Sequence, residues 1–237
     1  MLRERFDTMT CGSLFSGIGG FELGLIWSGL VKPHEIKWQV EIDDFCNKVL
    51  EKHFPHVKRY KDIKDVGKHN LEPVELICGG FPCQKWSTAH HGKAVGIDLR
   101  PSFARIIGEI HPRIIIGENV SRQAIYGFGD LVKTQKYNIA ITKLSAAKIG
   151  ADHKRNRWWL IAHPYDEGKF QSYINAKVEK LCKVDRNIWG WYNYARTIRI
   201  SNGIPHRMDR IKSLGNAVVP HVVQAIGYII KEYAMQH

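Results

Sequence analysis

Residues 10–29 read "TCGSLFSGIGGFELGLIWSG", in which a β-prone apolar run passes through a cluster of glycines into a helical pattern. We predict a strand over the first six of these residues and a helix over the last ten. Gly17, Gly19 and Gly20 permit a tight turn between the two elements and a close approach of the backbone to a ligand. A strand, a glycine-rich turn and a helix in this order are typical of the first unit of a Rossmann-like fold.

The following sequence, as far as about two-thirds of the chain, alternates apolar β-prone runs with helical patterns. Asp43 or Asp44 is placed to cap the second helix, which should end before Pro55. The alternation predicts an α/β fold with a doubly wound, mostly parallel sheet. Further strands are predicted over 36–42, 74–78, 113–120, 137–145 and 157–163, and further helices over 43–54, 101–110 and 121–135.

The pattern changes after residue 164, where the chain becomes polar, basic and aromatic without a clear alternation of helix and strand. A helical apolar pattern then returns near the end of the sequence. We therefore predict a first domain over 1–164, a small inserted module over 165–203, and a segment over 204–237 that returns to the first domain.

Composition favours a globular protein with an anionic partner. The chain has 237 residues, 44% of them hydrophobic, which is enough for one large domain with a proper core. Lysine and arginine total 35 against 23 acidic residues, a formal net charge of +12. This excess favours a polyanion such as nucleic acid, although solubility alone also accounts for a basic surface.

Cysteine use and hydropathy bear on the compartment. The five cysteines are odd in number and form no C-x-x-C pair, which favours reduced thiols over a disulfide framework or a zinc site. No apolar run approaches the roughly 20 residues that span a bilayer, and no apolar stretch follows the charged N-terminus. We therefore expect a cytoplasmic protein without a metal.

The glycine-rich turn predicts a nucleotide-like cofactor. Glu41 ends the second predicted strand about 20 residues further on, where an acid accepts ribose hydroxyls, and Asp62 is placed to accept from an adenine amino group. Glu22 stands where a dinucleotide fingerprint requires its third glycine. A carboxylate disfavours a pyrophosphate there but is compatible with a sulfonium, which favours S-adenosylmethionine over NAD. An ordinary strand–helix turn and solvated strand ends explain each of these features taken alone.

Reactive side chains follow several strands of the predicted sheet. Cys83 lies in "GGFPCQKWST" (79–88), Glu118 in "GENV", and Arg155 and Arg157 in "HKRNR". The carboxyl ends of the strands of an open sheet converge on one crevice, so these groups should meet beside the cofactor. Taken singly, the thiol could be a buried filler, the glutamate a member of a surface pair, and the arginines a solvated face.

This combination suits methylation of cytosine at C5, which is a poor nucleophile. A thiolate that adds to C6 makes C5 enamine-like, and a carboxylic acid at N3 stabilises the charge that would otherwise accumulate. Nearby arginines keep the thiol ionised and hold the base or its phosphate. We therefore assign Cys83 as nucleophile, Glu118 as the N3 partner, and Arg155 and Arg157 as supporting cations.

Six motifs in chain order resemble those of the C5-cytosine DNA methyltransferases: "LFSGIGGFELGL", "VEID", "KDI", "GGFPCQKWS", "GENV" and "GNAVVP". The resemblance covers nearly the whole chain. It implies a doubly wound sheet with the C-terminal helix packed beside the first, and S-adenosylmethionine as methyl donor with S-adenosylhomocysteine as product. It departs from the family at His153, which replaces the glutamine of a Gln-x-Arg-x-Arg pattern.

The resemblance also implies contacts residue by residue. Module 165–203 takes the place of a target-recognition domain, and the substrate is double-stranded DNA whose target base is flipped out of the helix. Residues 85–100 resemble a loop that closes over that base. The implied DNA contacts are Gln84, Ser87 and Arg100. The implied cofactor contacts are Phe15, Ser16, Gly17, Gly19, Gly20, Glu41, Ile42, Asp62, Ile63, Pro82, Asn216 and Val218.

We expect a monomeric enzyme of bacterial or phage origin, and a cognate restriction endonuclease stays open as a further partner. A tRNA cytosine methyltransferase is the main alternative, because relatives of the fold modify tRNA. A catalytically silent DNA-binding relative is a second alternative. A NAD-dependent oxidoreductase is the weakest, because Glu22 breaks the phosphate-binding fingerprint.

Overall fold

The computed structural model describes residues 8–82, 97–151, 153–164, 168–180 and 207–236. Its strands are β1 (Cys11–Leu14), β2 (Ile36–Val40), β3 (Lys58–Tyr60), β4 (Leu76–Gly80), β5 (Ile114–Asn119), β6 (Tyr137–Ser145) and β7 (Asn156–Pro164). Its helices are α1 (Gly20–Trp27), α2 (Asp44–His53), α3 (Arg100–Ile110), α4 (Arg122–Lys133), α5 (Lys169–Lys180), α6 (Arg207–Asn216) and α7 (Pro220–Gln236).

The strands form one sheet in the order β3-β2-β1-β4-β5-β7-β6. Neighbouring strands from β3 to β5 pair in parallel, whereas β7 pairs antiparallel with both β5 and β6. The chain winds outward from β1 in one direction and from β4 in the other, which opens a crevice at their carboxyl ends. The predicted doubly wound, mostly parallel sheet is therefore confirmed.

Apolar side chains on both faces of the sheet account for this architecture. One core cluster joins the sheet to α1, α5 and α7, and the other joins its opposite face to α3 and α4. Strand β5 is buried along its whole length, as a central strand covered on both faces should be. Its neighbour Trp159 on β7 packs edge-on against Phe21 of α1, with ring centroids 6.0 Å apart.

Helix caps fix two of the connections. The Asp43 carboxylate accepts hydrogen bonds from the amides of Phe45 and Cys46 at 3.0 and 3.1 Å, so Asp43 rather than Asp44 is the N-cap of α2. Ser121 caps α4 in the same way by accepting from the Ala124 amide. Both caps follow strands, and each sets the direction in which its helix leaves the sheet edge.

Strand β3 and helices α5 and α6 were not predicted. Strand β3 has only three residues, none of them buried, and therefore lacks the apolar pattern of an inner strand. Helix α5 falls inside the predicted module 165–203, yet its residues Phe170, Ile174 and Val178 are buried in the core cluster that also contains α1 and α7. The boundaries of that module stay a prediction, since residues 181–206 lie outside the described part of the chain.

The C-terminal helix α7 packs beside α1, as the family resemblance implies. The two helices approach so closely that a Cβ added to Gly24 would lie 2.2 Å from the carbonyl oxygen of Pro220 and 2.5 Å from Cβ of Val223. By length and composition alone the stretch Met208–Gln236 could also span a membrane, with 39% of its most apolar window buried. That stretch consists of two helices interrupted at residues 217–219, and core helices of globular proteins pass the same test.

Substitution Gly24→Ala should destabilise the fold by about 1–3 kcal/mol, because the new methyl group has to displace helix α7. Urea unfolding, with the free energy extrapolated to water, measures this cost. Gly215→Ala in α6 is the matched control, since nothing lies within 4 Å of a Cβ at that position. This control should match the wild type or exceed it by up to about 1 kcal/mol. Equal stability of the Gly24 variant would contradict the observed packing.

Candidate active site

Three distant parts of the chain meet at the carboxyl edge of β1, β4 and β5. A Cβ added to Gly20 would lie 2.6 Å from the carbonyl oxygen of Val218. A Cβ added to Gly80 would lie 2.9 Å from Oε2 of Glu118 and 3.7 Å from Cγ2 of Val218. The glycine-rich turn, the end of β4 and the segment between α6 and α7 therefore line one site, with Glu118 at its centre.

Glu118 is only 7% exposed and forms an ion pair with Arg157, whose Nε lies 2.8 Å from Oε1. Burial raises the pKa of this carboxyl to about 7, although the charges of Arg157 and Arg155 act in the opposite direction. The cost of removing a carboxylate from water thus exceeds the stabilisation by two cations. At neutral pH a substantial fraction of Glu118 holds a proton, which makes it able to donate a hydrogen bond.

Arg155 has a different contact from its neighbour Arg157. Its Nη2 donates to the carbonyl oxygen of Gly215 at 2.8 Å and also to that of Ala217. Burial lowers the pKa of Arg155 to about 10, to which the nearby Arg157 contributes. Arg155 therefore connects the start of β7 to the segment that follows α6. Arg157 instead contacts the carboxyl group of Glu118.

Asn119 anchors the chain that leads to the predicted nucleophile, a role that the sequence analysis missed. Its Nδ2 donates to the carbonyl oxygen of Phe81 at 2.9 Å, and its Oδ1 accepts from the amide of Ser121 at 2.9 Å. The Phe81 ring packs on Phe128 of α4, with centroids 5.2 Å apart. A polar residue at the end of an apolar strand was the available signal, because a buried side-chain amide requires hydrogen-bond partners.

Pro82 is exposed and is the last described residue before the gap. Cys83, Gln84 and Ser87 lie outside the described residues, so their assignments stay predictions. Arg100, the third predicted DNA contact, is described at the start of α3. Its guanidinium forms a bidentate pair with the carboxylate of Asp98, at 2.9 and 2.6 Å, and is largely buried.

Glu41 links the glycine-rich turn to α2. Its carboxylate accepts from the amide of Gly17 at 2.7 Å and from the amide of Asp43 at 2.8 Å. Gly17 has a φ of 57°, a left-handed conformation that glycine adopts without strain, and nothing lies within 4 Å of a Cβ added there. The Glu41 carboxylate thus fixes the turn, which leaves open space on the side of the crevice. The same carboxylate has further lone pairs that can accept hydrogen bonds.

Other predicted cofactor residues surround this turn. Phe15 also has a left-handed φ of 55°, and Ser16 is buried, with its amide bonded to the carbonyl oxygen of Val40. Gly19 lies against the ring of Phe54, which would be 2.7 Å from an added Cβ. The turn is therefore fixed by strand β2 below it and by the end of α2 beside it.

The carboxyl ends of β2 and β3 carry three more of the predicted residues. Ile42 is 69% exposed, an unusual position for a large apolar side chain directly after a buried strand. Asp62 accepts a hydrogen bond from the amide of Lys64 at 2.9 Å, and Ile63 is buried below it. Of the predicted residues in the C-terminal segment, Asn216 is exposed and Val218 is half-buried.

Glu22 does not line the crevice as the sequence reasoning implied. It is fully buried, accepts a hydrogen bond from Nε2 of Gln39 at 2.8 Å, and has its pKa raised by desolvation. Helical periodicity accounts for the difference, because this position of α1 faces the sheet rather than the open turn. A carboxyl buried against the sheet does not reach the crevice and cannot contact a cationic ligand there.

The described thiols are unsuited to nucleophilic chemistry. Cys11, Cys46 and Cys78 are all buried, and Sγ of Cys11 lies 3.9 Å from Sγ of Cys78. Burial raises the pKa of Cys46 to about 11 and that of Cys78 well above its ordinary value, so both stay protonated at neutral pH. Within the described ranges, no group of three or more His, Cys, Asp or Glu side chains could hold a metal ion.

Comparison with known proteins identifies the family. A family model described as "C-5 cytosine-specific DNA methylase" matches residues 9–199. The Type II methyltransferase M.HhaI of Haemophilus parahaemolyticus is 30% identical over 65% of this chain and 48% of its own length. M2.BsuMI of Bacillus subtilis is 33% identical over 66% of this chain and 42% of its own length. The chain thus spans about half the length of these curated relatives.

Solved structures share the fold over almost the whole chain. The Entamoeba histolytica methyltransferase EhMeth superposes with a TM-score of 0.63 and 14% identity, covering 97% of this chain and 99% of the other. The S. pombe Dnmt2 methyltransferase gives a TM-score of 0.62 and 14% identity, covering 96% and 98%. At this level of identity the likeness shows the fold alone.

The raised pKa of Glu118 makes stability depend on pH. The folded protein holds a proton between the ordinary value of 4.5 and about 7 that the unfolded chain has lost, so stability falls as pH rises through this window. Glu118→Gln removes this titration. We expect the unfolding free energy of the variant, minus that of the wild type, to increase by roughly 3 kcal/mol between about pH 4.5 and pH 8.

Urea unfolding over this pH range measures the difference, and Glu232→Gln is a control of opposite sign. A hydrogen bond from Lys177 lowers the pKa of Glu232, so that stabilisation is lost as pH falls rather than as it rises. A Glu118→Gln difference that stays constant with pH would show that Glu118 has the same pKa in the folded and the unfolded protein.

Proposed function

Because the chain belongs to the C-5 cytosine-specific DNA methylase family, we propose that it transfers a methyl group from S-adenosylmethionine to C5 of cytosine in a specific sequence of double-stranded DNA. One observation carries the proposal: the buried carboxyl of Glu118, with a pKa near 7, lies beside the strand end that leads to Cys83 and beside the glycine-rich turn.

The reaction begins with addition of the Cys83 thiolate to C6 of the flipped-out cytosine. Cys83 follows Pro82 directly, and β4 ends at Gly80, which pairs with Glu118 across the sheet. The Sγ–C6 bond forms as the π electrons of the C5–C6 bond shift through C4 towards N3. Arg157, with its charge only partly neutralised by a half-protonated Glu118, favours the ionised thiol.

Glu118 acts at N3 of the base. In its protonated form it donates a hydrogen bond to N3, and the negative charge that develops on the ring during addition is thereby stabilised. A carboxyl with an ordinary pKa would be ionised at neutral pH and would repel that charge. Burial of Glu118 is thus the feature that matches its chemistry to the reaction.

S-adenosylmethionine, when bound, would supply an electrophilic methyl group to the C5 carbon that Cys83 has activated; the bond from its sulfur to the methyl carbon would break, and S-adenosylhomocysteine would leave as product. Loss of the C5 proton to a base and expulsion of the Cys83 thiolate then restore the C5–C6 double bond. These events regenerate the thiol group and leave no residue modified. The reaction therefore requires neither a metal nor a redox partner.

The residues around the turn fit this cofactor. Gly17 leaves open space where a side chain would stand, and the Glu41 carboxylate has lone pairs free to accept from ribose hydroxyls. Exposed Ile42 offers an apolar surface on which an adenine ring would lie, and Asp62 stands at the neighbouring strand end as an acceptor for its amino group. Arg155 holds Ala217 and Gly215 in place to complete the pocket wall.

The net charge of +12 supports DNA as the substrate, since each neutralised phosphate releases bound counterions. We assign 165–203 to target recognition, and we assign Gln84, Ser87 and Arg100 to DNA contact. The relatives come from bacteria and also from a Chlorella virus, and we accordingly place the activity in the cytoplasm of a bacterial or phage-infected cell. We expect a monomer, and a cognate restriction endonuclease stays open as a further partner.

Cys83→Ala should abolish methyl transfer because it removes the sulfur atom that forms the bond to C6. The measurement is methylation-sensitive sequencing of DNA from a cytosine-methylation-deficient host that expresses either protein. Methylated cytosines in one recurrent context, absent from the variant, are the expected result. Cys46→Ala is the control, since that thiol is protonated and buried in α2 and its loss should leave the pattern unchanged. Methylation by the Cys83 variant at the wild-type rate would overturn the mechanism.

A parallel assay on tRNA separates the substrates. Methyl transfer to tRNA but not to duplex DNA would replace the proposed substrate and leave the chemistry intact. Sequence-specific DNA binding, without methyl transfer to either DNA or tRNA, would support a DNA-binding protein that lacks catalytic activity.

Glu41→Gln should weaken S-adenosylmethionine binding roughly 10- to 100-fold, because hydrogen bonds to a charged group contribute about 1.5–3 kcal/mol. Isothermal titration calorimetry on the free protein measures this without any need for DNA. Asp44→Asn removes the same charge from the exposed first turn of α2 and should bind the cofactor like the wild type. Equal loss in both variants would show a general charge effect instead of a ribose contact.

A further inference from the structure

A cluster of two cations and two aromatic rings lies outside the site described above. The rings of Tyr126 and Trp158 meet edge-on with centroids 6.1 Å apart. The guanidinium of Arg122 lies 5.2 Å from the centroid of Tyr126 and 5.6 Å from that of Trp158. Nζ of Lys143 lies 5.8 Å from the centroid of Trp158. We call these four residues the edge cluster.

The edge cluster shares the carboxyl edge of the sheet with Glu118. Trp158 pairs with Asn119 on one side and with Lys143 on the other, while the next residue, Trp159, pairs with Glu118. Side chains of successive strand residues point to opposite faces. The edge cluster therefore lies on the α4 face, one residue from the pair that contains Glu118, and does not line the same pocket.

The charges of the edge cluster are unneutralised within the described ranges. Neither Arg122 nor Lys143 forms an ion pair there, and both side chains are exposed. Cation–π contacts at exposed sites contribute only about 0.5–1 kcal/mol, and two cations near one ring repel each other. An anion that binds between them removes that repulsion. Exposed Lys148 and Lys154, in the connection from β6 to β7, extend the positive charge along the same edge.

We propose that the edge cluster binds the phosphodiester backbone of a DNA duplex that lies over the carboxyl edge of the sheet. This inference rests on the proposed function, which places the duplex over the carboxyl edge of the sheet. The aromatic rings hold the Arg122 guanidinium in place before the phosphate arrives, which reduces the entropy lost on binding. Backbone contacts of this kind add affinity and position the duplex without reading its sequence.

The test is the double variant Arg122→Gln with Lys143→Gln, titrated against a labelled dA·dT duplex that contains no cytosine. Loss of two phosphate contacts should reduce the slope of log Kd against log salt concentration by about 1.8. The rise in Kd between about 50 and 200 mM salt should then be roughly ten-fold smaller than in the wild type. The affinity for S-adenosylmethionine should not change.

Two controls isolate the position of the charges. Arg122→Lys with Lys143→Arg keeps both charges and should keep the wild-type salt slope. Lys52→Gln with Lys133→Gln removes two exposed lysines from the last turns of α2 and α4, at the opposite edge of the sheet, and should also keep it. An unchanged slope in the Arg122/Lys143 glutamine variant, or an equal change in the Lys52/Lys133 variant, would overturn the proposal.

This binding assay also separates the present inference from the proposed function. If the wild type methylates no DNA, but the glutamine variant has a smaller salt slope than the wild type, the proposed function is contradicted. Phosphate binding by the edge cluster is then supported. If the wild type methylates DNA and the glutamine variant has the same salt slope as the wild type, the proposed function is supported. Phosphate binding by the edge cluster is then contradicted. Lys143→Gln alone, at an exposed position, should reduce the slope by about 0.9 and serves if the double variant fails to fold.

Discussion

The close packing at Gly20, against Val218, and at Gly80, against Glu118, is the constraint on which the site depends. At each of these two positions a single methyl group would collide with a neighbour across the site. Only glycine lets the segment between α6 and α7 reach the sheet edge. Arg155 then holds that segment by its carbonyl groups, while the neighbouring Arg157 contacts Glu118. The turn, the strand end and the Glu118 carboxyl are therefore positioned by one set of contacts.

Desolvation decides how each carboxyl in this region acts. Glu41 stays at the surface of the crevice, where two backbone amides bond to it as an acceptor. Glu118 is buried beside two arginines, and the opposing effects of burial and charge leave its pKa near neutrality. Glu22 is fully buried and accepts a hydrogen bond from the Gln39 amide. Three glutamates close to one turn thus have three different chemical characters, set by water and neighbours rather than by residue type.

The sequence predicted the inner strands, because buried strands require unbroken apolar runs. It predicted the helices beside them, because capped helices require a polar residue at the start. It also predicted the edge of the candidate site, because the carboxyl ends of the strands converge there. It did not predict β3, whose three residues form an edge strand with no buried side chain. It did not predict α5, where an apolar stripe is masked by surrounding basic residues. The tertiary contacts of Arg155, Asn119 and Glu22 were also inaccessible, since they depend on which segments come together in space.

The order of these segments along the chain has a consequence for synthesis on the ribosome. The turn at Gly17 and the acid at Glu41 are translated early, whereas Ala217 and Val218 follow much later. A nascent chain that has emerged only through β7 has the sheet edge but lacks the wall that α6 and α7 contribute. Its first helix, α1, exposes the apolar face that α7 later covers. Chaperones that bind apolar surfaces would thus find their target during this interval, and the crevice is complete only once α7 has covered that face.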